Sequence, residues 1–211
     1  MWRLVVEGGV VKRVEEPALS VPRGRVGVKV KAFLLDDFSQ WVLRRGWGPL
    51  SRWALGVVVA GGEVGRYVVA YAENAAAQYI AADRYVYVDA GDPSALEAAA
   101  VAYVVEALRR VPRFAKVEVL GDDPRRGALE RLAEVGPSRW RVALSGASVG
   151  GGRVVALSRL VELVGNCRVY FVDVPSRGAL ERAASLGLRL GLPVRRLGGE
   201  APGGWAVVTV D

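Results

Sequence analysis

The apolar rhythm of this chain changes once, near residues 90 to 94, and no other feature constrains its fold as strongly. Ahead of that point the apolar runs are short, and Gly or Pro separates them. Arg3 to Val6 and Val10 to Val14 flank Gly8-Gly9, a hairpin signal. Val26, Val28 and Val30 alternate with Gly27, Lys29 and Lys31, as on a half-buried strand. Val57 to Ala60, Tyr67 to Tyr71, Gln78 to Ala81 and Tyr85 to Val88 read as further short strands, and Asp36 to Arg45 as a short helix. Many short strands joined by glycine turns predict a small barrel.

Beyond the change, strands and helices alternate. Ser94-Ala95-Leu96-Glu97 reads as a capping box, with Ser94 at the N-cap of an Ala-rich helix that runs to about Arg110 and stops at Pro112. Strands are expected at Val117 to Leu120, Val142 to Leu144, Val169 to Val172 and Ala206 to Val210. Helices are expected at Arg125 to Val135, Val154 to Val164 and Gly178 to Leu190. Such alternation predicts a parallel sheet with helices on its faces. The division expected is a β domain over residues 1–92 and an α/β domain over 93–211. One hexapeptide occurs twice, at Arg126 to Arg131 and at Arg177 to Arg182, each time after an apolar strand and an acidic turn.

The run Arg141 to Gly152 carries the sharpest chemical signal. An apolar strand leads into Gly146-Ala147-Ser148-Val149-Gly150-Gly151-Gly152, and a second strand follows and ends at Asp173. Glycines let a backbone turn tightly against a diphosphate, and a following helix N-terminus presents free N–H groups to it. An acid about 20 residues further on can hold a ribose hydroxyl. Gly146, Ser148, Gly150, Gly151, Gly152 and Asp173 are therefore the candidate cofactor contacts, with Arg153 as an added charge. The alternative is a plain tight turn, with Asp173 serving as a helix cap. A second loop, Gly121 to Gly127, has Asp and Arg where phosphate turns have inner glycines, and Asp122 and Asp123 would repel a diphosphate.

Composition excludes several chemistries. The 211 residues contain no histidine and one cysteine, Cys167. His-dependent triads, Cys/His zinc sites and an internal disulfide framework are all ruled out. A reducing cytoplasm is the expected compartment. No apolar run reaches the roughly 20 residues that span a bilayer, and the N-terminus reads as a strand and not as a signal peptide. Net charge is +7, and only Lys12, Lys29, Lys31 and Lys116 among 29 basic residues are not arginine. The arginines are spread along the chain, which favours a solvated surface over a nucleic-acid surface. Scarce Asn, Gln, Cys and Met suit a thermophile.

Taken in order, these segments resemble the medium-chain dehydrogenase/reductases, especially the zinc-free, quinone reductase-like branch. Val28 to Ala32 is similar to the V-x-V-K-A strand of that family, and Leu43 to Gly46 to its R-G turn. Gly56 to Val59, Gly62 to Val69 and Glu73 to Ile80 resemble its G-V-V, V-G-D-R-V-V and A-E-Y-V stretches. Val142 to Gly152 resembles V-x-G-A-S-G-G-V-G. The resemblance implies a GroES-like β-barrel domain, then a reduced Rossmann-like parallel sheet, with NAD or NADP as cofactor and no zinc. It also implies hydride transfer to carbonyls, alcohols or activated double bonds.

The departures are as informative. The zinc branch's Cys near Asp36 and His-Glu after Gly56 are missing, as is the four-cysteine lobe. The chain is short for the family, and the segment that returns to complete the first domain is expected to be absent. Ala115 to Gly136 is expected as an extra strand–helix unit. Asp36, Asp37, Tyr67 and Tyr71 are possible cleft groups, each with a structural alternative as cap, surface charge or core aromatic. Two functions remain open. One is a zinc-independent NAD(P)-dependent oxidoreductase with weakened or lost catalysis. The other is a non-catalytic binding or assembly protein, whose partner is acidic, such as RNA, or another subunit, including a second copy of the chain.

Overall fold

The computed structural model describes residues 1–198 and 204–210. The strands up to the change of rhythm are β1 (Trp2–Glu7), β2 (Val10–Glu15), β3 (Val26–Leu35), β4 (Trp47–Pro49), β5 (Trp53–Ala60), β6 (Tyr67–Tyr71), β7 (Tyr79–Ala82) and β8 (Arg84–Val88). Helix α1 (Asp37–Arg45) lies between β3 and β4. After helix α2 (Glu97–Leu108) come β9 (Glu118–Leu120), α3 (Arg126–Leu132), β10 (Trp140–Ala143), β11 (Ser148–Val149), β12 (Arg153–Ala156), β13 (Glu162–Leu163), β14 (Arg168–Phe171) and α4 (Arg177–Leu186). Strands β15 (Val194–Arg196) and β16 (Ala206–Thr209) close the order. The fold is mixed α/β. It divides into two compact units, one of Met1–Ala99 with Leu192–Asp211, the other of Ala100–Gly191.

The first unit is built around β3. Gly8 and Gly9 have φ of 61° and 76°, the left-handed pair a two-residue hairpin turn needs, and β1 pairs β2 in antiparallel register across them. β3 is long because it serves two neighbours on one side. Val26 to Lys29 pairs with β7, and Ala32 to Leu35 pairs with β16. Its other side pairs with β5 from Gly27 to Phe33, with two shifts of register. The sheet runs β15-β16-β3-β5-β6-β8, with a separate three-stranded sheet β2-β1-β4. Val26, Val28 and Val30 point into a core with Val58, Val68 and Ile80, while Lys29 and Lys31 face out. Trp53 is fully buried, edge-on to Tyr71 at 5.4 Å.

Two expectations for this unit are corrected. Ala206 to Val210 is not a further strand of the parallel sheet. Its β16 pairs antiparallel with β3, so a returning segment is present. Ser94 is not the N-cap before α2. Asp92 caps a short 3-10 turn over Pro93–Leu96, accepting from the Ser94 N–H at 2.9 Å. Pro93, whose φ is preset for a first helical position, moves the start upstream. The Glu97 carboxylate then accepts the Leu192 N–H at 2.9 Å.

The second unit holds a parallel sheet in the order β14-β12-β10-β9. Helix α3 makes the crossover from β9 to β10. The expected helix over Val154 to Val164 is absent, and strands β12 and β13 occupy that stretch. The causes are local. Gly151 and Gly152 have φ of 66° and 69°, which turns the chain, and two β-branched valines follow. The Ser158 hydroxyl then accepts the Leu160 N–H at 2.9 Å, a side-chain turn that competes with helix. The β11–β13 pair supplies the cover a helix would give. Ala147 and Val149 pack on Ala143, Val154 and Ala156.

Candidate functional site

The carboxyl ends of parallel strands are where ligands of open α/β sheets bind. At that end of β9 the chain turns through Gly121, Asp122, Asp123 and Pro124 into α3. Gly121 has φ 74°, and a Cβ there would stand 2.6 Å from the Ser145 carbonyl oxygen, so only glycine lets the β9 and β10 turns meet. Asp122 N–H donates to that same carbonyl at 3.2 Å. Arg126 Nη1 donates to the Gly121 carbonyl at 3.1 Å.

Asp123 and Arg125 fill the centre of this turn, with side chains 3% and 0% exposed. Arg125 Nη2 meets Asp123 Oδ2 at 2.6 Å, and Arg125 Nε meets Oδ1 at 3.0 Å. The carboxylate also accepts the backbone N–H of Arg125 at 2.9 Å and of Ser145 at 3.1 Å. Arg125 Nη1 donates to the Leu157 carbonyl at 2.7 Å, beyond β12. Burial pushes the Asp123 carboxyl upward, but the Arg125 charge and these hydrogen bonds outweigh it and leave it below its ordinary value. Ser145 and Ser158 hydroxyls meet at 3.1 Å beside the pair. One buried side-chain ion pair thus ties the ends of β9, β10 and β12 together.

That arrangement does not fit a diphosphate on the turn. The N–H groups that would receive it already bind a carboxylate, and a second anion there would face Asp123 directly.

The six residues read as cofactor contacts do not converge. Gly146 follows β10, and its N–H donates to the Leu160 carbonyl at 2.7 Å. Ser148 lies on β11 with its hydroxyl 3.0 Å from Glu162 Oε2. The carbonyls of Gly150 and Gly151 accept from the Arg141 guanidinium, the first at 2.9 Å. The Gly152 carbonyl accepts the Arg168 N–H at 2.8 Å. Gly152 precedes β12 and Asp173 follows β14, its parallel neighbour. They therefore lie at opposite sheet ends, about 20 Å apart at the usual rise per residue. No helix follows the glycines to present N–H groups. Asp173 instead pairs with Arg159 at 2.6 Å, and both are about half exposed.

Two of the suggested cleft residues, Asp36 and Tyr71, have structural roles. Asp36 caps α1, accepting the Ser39 N–H at 3.1 Å, and Tyr71 packs on Trp53. The sequence reading missed the buried Arg125. The signal available was a Gly-Asp-Asp-Pro turn between an apolar strand and a helix.

No family model matches the chain, and neither does any curated protein at the level of sequence. Solved structures do match over nearly the whole length. A glucose dehydrogenase from Haloferax mediterranei, in complex with NADP, Zn and gluconolactone, aligns at 12% identity over 100% of this chain and 99% of that one, with a TM-score of 0.71. A thermostable alcohol dehydrogenase from Pyrobaculum aerophilum aligns at 14% identity over 99% of each chain, TM-score 0.68. An alcohol dehydrogenase from E. coli CFT073, complexed with NADH, aligns at 11% identity over 100% and 99%, TM-score 0.69. The fold is that of the alcohol and glucose dehydrogenases. Among the described residues no group of three or more His, Cys, Asp or Glu side chains is placed to hold a metal ion. No helix among them is long and apolar enough to cross a membrane.

Proposed function

We propose that this protein is a divergent, zinc-independent relative of the medium-chain dehydrogenase/reductases that has lost dinucleotide-driven catalysis and works by binding. In this reading the first unit corresponds to the GroES-like domain and the second to a reduced Rossmann-like domain. The observation that carries it is the Asp123–Arg125 pair. It sits where strand, turn and helix would cradle a diphosphate, and it consumes the N–H groups of Arg125 and Ser145. A sequence without histidine also offers fewer proton donors near neutral pH.

Titration with NADH and NADPH tests this. Neither fluorescence nor melting temperature should change at millimolar cofactor. Saturable binding of either nucleotide would overturn the reading. It would then favour the second one, a zinc-independent NAD(P)-dependent oxidoreductase, which the fold shared with NADP- and NADH-bound dehydrogenases supports. For that reading we retain Gly146 as a contact, because it shares a sheet end with Gly121 and Ser145.

A further inference from the structure

The opposite end of the parallel sheet carries a charge pattern that folding alone does not explain. The register sets Trp140 beside Arg153 and Arg153 beside Arg168, on three adjacent strands and one face. Like charges directly opposite across strands are unfavourable. Arg153 and Arg168 are both exposed, and no carboxylate pairs with either among the described residues. Tyr170, two residues along β14, shares that face and is 43% exposed. The Arg110 guanidinium lies 3.4 Å from the centre of the Tyr170 ring and also donates to its hydroxyl. Arg139 lies 5.8 Å from the Trp140 ring. An open cavity of about 530 Å³ borders the row, lined by Gly152, Arg153, Asn166, Cys167 and Arg168 among others.

Guanidinium groups match phosphate oxygens with two parallel hydrogen bonds. Aromatic faces receive bases by stacking, which any base sequence can do. Adjacent arginines flanked by rings at an open sheet end suit an extended polyanion with planar groups. An acidic peptide would use the arginines but not the rings. In sequence these residues are dispersed, since parallel register alone brings positions 140, 153 and 168 together.

We propose that this end of the sheet binds single-stranded nucleic acid. The proposal rests on the binding reading above and names its partner. The test uses the full chain, a labelled single-stranded RNA 20-mer and anisotropy across a salt series. The wild type should bind, with affinity falling steeply as salt rises. The double variant Arg153→Gln, Arg168→Gln should bind on the order of tenfold more weakly at low salt, with a salt slope lower by about 1.4, the value for two lost phosphate contacts. Its melting temperature should not drop, because a repulsive pair has been removed. Trp140→Leu should weaken binding roughly tenfold while leaving the salt slope unchanged. Unaltered binding and slope in the double variant would overturn the assignment of this surface. Equal competition by polyglutamate would overturn nucleic acid in favour of an acidic protein. Failure of the wild type to bind RNA sinks this proposal alone if NADH and NADPH also fail to bind. If either nucleotide binds instead, the binding reading falls with it.

Discussion

Two strand–turn–helix units in the parallel-sheet half share one helical hexapeptide and differ in how the chain enters it. Arg126 to Arg131 opens α3, and Arg177 to Arg182 opens α4. The helices behave alike. Ala128 and Leu129 are buried in the first, and Ala179 and Leu180 in the second. Arg126 pairs with Glu130 at 3.1 Å, and Arg177 pairs with Glu181 at 2.9 Å. The entrances are unlike. Before α3 the acid, Asp123, is sealed in with a buried arginine and no side chain caps the helix. Before α4 the acid, Asp173, stays half exposed, and the Ser176 hydroxyl accepts the Ala179 N–H at 3.3 Å. Glu106 completes that entrance by accepting from the Ser176 hydroxyl and N–H. The helix sequence thus sets packing, whereas the turn before it decides whether the strand end is sealed or open.

The comparison breaks most sharply at the arginines. Arg125→Ala strands a buried carboxylate and should destabilise the protein by about 3–5 kcal/mol. Arg159→Ala, which removes the Arg159–Asp173 ion pair, should cost no more than about 1 kcal/mol, because both groups are solvated. Urea unfolding of the two variants measures the difference. Equal losses would mean that the buried pair does not hold the strand ends together.

Acid titration sharpens the same contrast. The Asp123 carboxyl titrates below its ordinary value when folded, so ionisation favours the folded state. Its contribution is fully present above the unfolded value, about 4, and is lost as pH falls through the folded value. Glu106 is also lowered. Burial raises it, but the Ser176 hydrogen bonds and the charges of Arg109 and Arg110 outweigh that. Asp123→Asn should therefore flatten the stability–pH curve below about pH 4. A steep acid limb retained in Asp123→Asn would assign that limb to other carboxylates.

Local signals were legible in the sequence, and contacts between distant segments were not. Gly8-Gly9, the alternation of Val26, Val28 and Val30, and α1 after Asp36 all depend on neighbours in the chain, and each lies where the residues place it. Val154 to Val164 misled because a short apolar run fits a buried strand as well as a helix. Only the turns at Gly151-Gly152 and Ser158 decide between them. Ala206 to Val210 was legible as a strand, but not its partner, since pairing with β3 joins residues far apart in sequence. At the candidate site, the mismatch of Gly121 to Gly127 with a phosphate turn was visible. The reason the aspartate is tolerated was not, because Arg125 looks like one more surface arginine until it is folded.

The smallest effect tests the shared half of the comparison. Glu130 and Glu181 each meet an arginine one turn earlier in the same hexapeptide. Arginine ahead of glutamate is the less favourable order, and a cation in the first turn opposes the helix dipole. Each pair is also about half exposed, so solvent screens it. Glu130→Gln and Glu181→Gln should each shift stability by less than about 0.5 kcal/mol, and by the same amount. A clearly larger loss at Glu130 would show that the sealed entrance extends its influence one turn into α3. The hexapeptide would then no longer be an interchangeable packing element.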